Sequence, residues 1–214
     1  LSLAYAAFAT LGRRPEPRMV TRVEDRDGRV VWESEPRTGR VLDPAVAFLI
    51  TDMMRDVVDR GTGTPVRGVG FRGVAAGKTG TTNDATDVWF IGYTPRRVAG
   101  VWIGFDSPSP IVAGATGGAL AAPVWGRVMS RAGADGEGGW APPAGVETRM
   151  IDAAGNLVGE GCPTAGPARE EYFLAGTAPV GRCGPGMYPW PDSARLMDSL
   201  GVDPDEDDGR PWWR

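Results

Sequence analysis

The chain has 214 residues, 42% of them hydrophobic, enough for one or two small domains with packed cores. Its net charge of -4 and pI ≈ 5.0 argue against a nucleic-acid surface and give no polybasic patch for anionic lipid. Histidine is absent, which excludes Ser-His and Cys-His catalysis and removes the commonest zinc ligand.

Taken in chain order, Leu3, Ala6, Ala7 and Leu11 recur at helical spacing, so residues 1–11 read as the last turns of a helix closed by Gly12. A chain that opens inside an element, without a signal segment, is expected to be part of a longer one, and no apolar run reaches the ~20 residues of a membrane span. Residues 19–25 and 29–33 flank Asp27-Gly28, which predicts a β-hairpin with a two-residue turn. Asp43-Pro44 then supplies an N-cap and a first-turn proline. Val46, Leu49, Ile50, Met53, Met54, Val57 and Val58 follow at intervals of three and four until Gly61, which predicts a helix over 43–60.

Residues 60–70 read as a glycine-rich loop and 74–81 as a strand. The apolar runs 87–93 and 98–105, joined by Thr94-Pro95-Arg96-Arg97, read as adjacent antiparallel strands. Helical spacing returns over 119–131, where Pro123 is tolerable only near the first turn. The first domain is therefore expected over 1–131, followed by a Gly/Pro-rich extension over 132–214. Within that extension a strand pair is predicted over 147–152 and 157–159 around Ala154-Gly155-Asn156. The acidic run 203–208 is expected to be solvated and disordered.

Cys162 and Cys183, the only cysteines, fit no zinc or C-x-x-C spacing. They leave a disulfide formed outside the cytosol or two separate buried thiols, and compartment logic favours the bridge. Such a bridge would contribute on the order of 3 kcal/mol if unstrained.

The chemistry concentrates in Gly77-Lys78-Thr79-Gly80-Thr81-Thr82. Lys78 is the only lysine in a chain that otherwise uses arginine, which points to a need for a compact, titratable ammonium that a guanidinium cannot replace; drift toward arginine that spared one lysine is the plainer alternative. A phosphate-binding P-loop requires a glycine where Arg72 stands and a helix directly after the lysine, and neither condition is met. Asp84 and Asp87 have no third ligand nearby, so no metal is expected. Trp89, Trp102 and Trp125 read as core or groove-wall aromatics.

Lys-Thr-Gly is one of the signature motifs of serine penicillin-recognising enzymes. The likeness extends to KTGTTNDATDVWFIGYTP (78–95), AYAAFATLG (4–12), DRDGRVVWE (25–33), LITDMMRDVVDRGTG (49–63) and VWIGFD (101–106), in family order. Over residues 1–131 the chain resembles the C-terminal part of the transpeptidase domain of penicillin-binding proteins that also carry a glycosyltransferase domain. The later Cys-Pro and Phe-Leu-x-Gly-Thr-x-Pro stretches are similar to C-terminal tails of some members.

The resemblance implies an α/β (α+β) fold of the penicillin-binding protein and serine β-lactamase type, with an antiparallel sheet and flanking helices. It implies a peptidoglycan D,D-transpeptidase acting by serine acyl transfer on D-Ala-D-Ala stem peptides, acylated by β-lactams and needing no cofactor. Lys78 would act in catalysis and binding, and Thr79 and Thr81 would hold the substrate carboxylate. The Thr81 backbone N–H would be an oxyanion donor, and Gly80 would let the peptide lie along the strand.

Such enzymes work at the outer face of the bacterial cytoplasmic membrane, tethered by an N-terminal anchor that this sequence does not contain. No serine lies three residues before a lysine, and no Ser-x-Asn occurs. The resemblance places both motifs before Leu1, so these residues alone are expected to be inactive and to leave apolar surface on helix 43–60 uncovered. A D-alanyl-D-alanine carboxypeptidase and a non-catalytic peptidoglycan-binding module are the rival readings.

Overall fold

A computed structural model describes residues 1–181 together with Cys183 and Gly184. The chain divides into two compact units, residues 1–142 and 143–214. Among the described residues no helix is long and apolar enough to cross a membrane. The acidic run 203–208 lies outside the described residues.

Helix α1 (Ser2–Ala9) ends where Leu11 and Gly12 take positive φ, 49° and 93°. Gly12 is doubly required there, because a Cβ would fall 2.2 Å from the Leu42 carbonyl oxygen. Strand β1 (Arg13–Pro15) later pairs with β4 (Thr38–Arg40), and between them β2 (Arg22–Glu24) and β3 (Val30–Glu33) form the expected hairpin. Its turn is longer than the two residues predicted: Asp25 N–H donates to Arg29 C=O, leaving Arg26, Asp27 and Gly28 as the loop. The Asp25 carboxylate accepts from the Asp27 and Arg29 N–H groups, and Gly28 takes the left-handed conformation (φ 78°), so an Asx-type closure replaces the tight turn.

Helix α2 (Pro44–Asp59) starts as predicted, with the Asp43 carboxylate accepting from Ala45 and Val46 N–H and Pro44 in the first turn. Its buried stripe is Ala45, Ala47, Phe48, Thr51 and Val58, whereas Met53 is 66% exposed and Val46, Leu49 and Ile50 are half-buried. The stripe is thus rotated from the predicted one, because small residues and Phe48 join Val58 in meeting the rest of the unit. The predicted loop 60–70 contains a short helix, α3 (Pro65–Gly68), whose Val66 is fully buried.

Strands β5 (Ala76–Thr81), β6 (Asp87–Tyr93) and β7 (Val98–Gly104) form an antiparallel sheet in that order, with β5 at one edge. The predicted helix 119–131 is preceded by a π-helical turn, Gly117–Ala121, and continues as α4 (Ala122–Arg131), with Pro123 in the first α-turn. Trp125 of α4 is fully buried. Its indole edge-packs on Phe71 and Phe90, and its N–H is shared between the carbonyls of Gly92 and Ala99. A second cluster joins Tyr93 to Tyr5, Phe8, Met54 and Trp140. Burial raises the Tyr93 phenol above its ordinary range, and its hydroxyl donates to Thr51.

The first unit continues past the composition break at 131. Ala134 is buried in the core, and the Asp135 carboxylate accepts from Arg72 and Gly73 N–H, which holds it below its usual range. Glu137 accepts from the Thr94 hydroxyl and pairs with Arg97, and the Trp140 N–H donates to Ala9 C=O.

In the second unit strand β8 (Val146–Ile151) pairs over its whole length with β9 (Arg169–Leu174). The predicted return over 157–159 is present only as a short antiparallel closure around Ala154-Gly155-Asn156: Asp152 N–H donates to Asn156 C=O, Val158 N–H donates to Met150 C=O, and Leu157 bridges Ile151 and Gly184. Asp152 is buried and braces that turn, its carboxylate accepting from the N–H groups of Ala154, Asn156 and Ala165 and from the Asn156 side chain. Cys162 and Cys183 form a disulfide.

Candidate active site

The Lys-Thr-Gly triplet lies on β5, and strand alternation sorts its residues by face. Lys78 and Gly80 share one face with Ile91 and Trp89, their partners on β6. Thr79 and Thr81 share the other, opposite Phe90 and Val88, which are fully buried. The Lys78 ammonium is exposed and donates to the Thr79 carbonyl at 2.8 Å. The structure therefore does not set the Lys78 ammonium among the threonine hydroxyls; it brings Thr79 and Thr81 together with residues from two other segments.

Those segments form a groove of about 440 Å³ lined by Thr62, Thr64, Pro65, Thr79, Thr81, Thr116, Gly118 and Ala119. The Thr62 and Thr79 hydroxyl oxygens are 2.7 Å apart. Thr81 Oγ1 accepts from the Gly117 N–H at 3.1 Å, and Thr116 Oγ1 caps the π-helical turn by accepting from the Ala119 N–H at 3.0 Å.

The turn approaches so closely because Gly117 and Gly118 lack side chains. A Cβ on Gly117 would lie 2.2 Å from the Trp89 carbonyl oxygen and 2.6 Å from that of Gly80, and one on Gly118 would lie 2.3 Å from the Thr62 carbonyl oxygen. At Gly80 a Cβ would meet only Trp89 Cβ, at 3.4 Å, an ordinary contact. The crowded glycines are thus in the turn, not in the triplet.

Sequence reasoning missed Thr62, Thr64, Thr116 and the Gly117-Gly118 pair. The signal available was the repetition of threonine beside glycine in 61–64 and 116–118. Thr82 closes the β5–β6 turn, accepting from Thr86 and Asp87 N–H. The Asp87 carboxylate accepts from the Trp102 indole and the Thr86 hydroxyl, which gives it a structural role. Among the described residues no group of three or more His, Cys, Asp or Glu gathers in a way that could hold a metal. Trp125 is core, as described, while Trp89 and Trp102 form an exposed pair with ring centroids 6.2 Å apart.

A Lys-Thr-Gly edge strand on an antiparallel sheet backed by a helix marks the α/β class of penicillin-recognising domains, and comparison with known proteins makes this specific. Residues 1–130 match the family model for the penicillin binding protein transpeptidase domain. Penicillin-binding protein 1A of Neisseria gonorrhoeae is 39% identical over 127 residues, 57% of this chain and 16% of that protein. Penicillin-binding protein 1A of Clostridium tetani is 32% identical over 188 residues, 86% of this chain and 24% of that one.

The 2.6 Å crystal structure of penicillin-binding protein 1A from Haemophilus influenzae superposes with a TM-score of 0.74 at 25% identity, covering 85% of this chain and 32% of that one. The chain belongs to the penicillin-binding protein transpeptidase family. It spans 16% to 24% of the length of these two curated relatives, and the two wider matches run past the first unit into the second.

Proposed function

We propose that this chain supplies the carboxylate-binding wall of a peptidoglycan D,D-transpeptidase site. The observation that carries the reading is the threonine-lined groove built against the Lys-Thr-Gly edge strand of a family member. A serine from a segment outside these 214 residues attacks the penultimate D-alanine carbonyl of a stem peptide; its proton passes to the departing D-alanine nitrogen, and an amine from a neighbouring strand then takes the acyl group. Thr79 and Thr81 hydroxyls hold the terminal carboxylate, and the Thr81 backbone N–H stabilises the tetrahedral oxyanion. Lys78 adds positive charge beside the strand and joins the serine's proton network. The peptide backbone lies along the edge of β5 as an added strand.

The longer protein would carry a glycosyltransferase domain and an N-terminal anchor, and would act outside the cytoplasm on D-Ala-D-Ala peptides, with β-lactams as acylating analogues. Labelling of that longer protein with a fluorescent penicillin tests the reading. Covalent labelling that is lost when the upstream serine is replaced is expected. Absence of labelling in the intact protein would favour a non-catalytic peptidoglycan-binding module, and release of D-alanine to water without cross-linking would favour a carboxypeptidase.

A further inference from the structure

A threonine hydroxyl has one proton and two lone pairs, so a hydroxyl that binds a carboxylate has to point its proton at it. Two groove hydroxyls are already committed this way. Thr81 Oγ1 accepts from Gly117 N–H and Thr116 Oγ1 from Ala119 N–H; a main-chain N–H can only donate, so each hydroxyl keeps its own proton for the groove. Thr79 has no main-chain donor behind its oxygen. Its hydroxyl partner is Thr62, at 2.7 Å, in a bond whose direction geometry leaves free. If Thr79 donates to Thr62, it presents a lone pair to the incoming carboxylate and repels it; if Thr62 donates, the Thr79 proton is available.

We infer that Thr62 is a positioning residue of this site, whose hydroxyl donates to Thr79 and so commits the Thr79 proton to the substrate carboxylate. The inference rests on the reading that this groove takes that carboxylate. Thr62 is exposed, so its side chain is no part of the core, and it stands to Thr79 as the Gly117 N–H stands to Thr81.

The test uses the intact protein and two acylating probes, a penicillin with a free carboxylate and the same penicillin as its methyl ester. Thr62→Val keeps the shape and removes the hydroxyl. Valine also removes the acceptor that competes for the Thr79 proton, so Thr79 keeps its bond to the carboxylate and loses only its fixed orientation: the free acid should acylate about two- to fivefold more slowly, the scale of ordering one side-chain rotor, while the rate for the ester stays put. Thr62→Ser should restore the acid's advantage. An unchanged acid-to-ester ratio in Thr62→Val overturns the inference. So does a parallel fall for both probes, which would mean that Thr62 acts only through structure. Failure of the functional reading looks different: the unsubstituted protein would then label with neither probe, or with both equally.

Discussion

The two units of this chain solve the same problem with different means. The first buries large aromatics: Trp125, Tyr93, Phe48, Phe71 and Phe90 are all at most 1% exposed. The second buries few large side chains among its described residues, Ile151 and Leu157 at 5% each, and relies on the Asp152 cage and the disulfide. Packing holds a sheet rigid enough to carry a site on its edge, whereas a small hairpin module with little apolar surface to bury needs point restraints. The residues of the proposed site lie entirely in the packed unit.

The comparison breaks most severely at Trp125. Trp125→Ala removes the side chain that joins α4 to β6 and β7, and should cost about 3–5 kcal/mol. Thermal denaturation of the intact protein should show a large loss, and hydrogen exchange should localise it to the first unit. Exchange in β8 and β9 that rose equally would show that the second unit depends on the same core. Next in size is Gly117→Ala. Its Cβ would overlap the carbonyls of Gly80 and Trp89, so the π-helical turn has to retreat and Thr81 loses its N–H donor. Overpacking of this kind costs about 1–3 kcal/mol, and penicillin labelling should fall at least as far as in Thr62→Val. Retained labelling would detach the turn from the site.

How much of this was legible beforehand follows the same division. The Asp43 cap and Pro44 fixed the start of α2 through local chemistry that tertiary contacts do not override, Pro123 lies in a first turn as expected, and β6 and β7 fall where their apolar runs predicted. Ordered motif blocks carried the triplet to the correct strand. The groove was less legible because it is assembled from residues 62–65, 79–81 and 116–119, which only the folded sheet brings together. Thr62 and Thr116 look like ordinary loop residues until their hydroxyls meet β5. In the second unit, Ala154-Gly155-Asn156 suggested a return over 157–159, which forms only as a short closure, while the full-length partner of β8 is β9 and Asp152 gathers an N–H from as far as Ala165, non-local contacts that no short window contains.

Removal of the disulfide sharpens the comparison from the second unit's side, with no effect expected on labelling. Cys162→Ser with Cys183→Ser removes a cross-link spanning 21 residues and should destabilise the second unit by about 2–4 kcal/mol. Exchange should rise around Leu157 and Gly184 while penicillin labelling of the intact protein is unchanged. A loss of labelling would mean that the second unit supports the site after all.

The smallest effect depends on pH and separates the cage from the cross-link. Three backbone N–H groups and the Asn156 amide stabilise the charged form of Asp152, lowering its pKa from 3.8 to about 2, with the bond from Ala165 the largest cause. A carboxyl whose pKa is depressed by folding contributes stability that is fully present above the unfolded value and is lost as pH falls through the folded value. The second unit should therefore lose protection between pH 3.8 and about 2. Asp152→Asn cannot titrate, so it should be less protected at neutral pH and show a flatter profile across that window, as read by exchange in β8 and β9. Because the disulfide does not titrate, the double serine variant should keep the wild-type pH slope from a lower starting point. If Asp152→Asn kept that slope as well, another carboxyl would be responsible, and the cage would owe its role to geometry and not to charge.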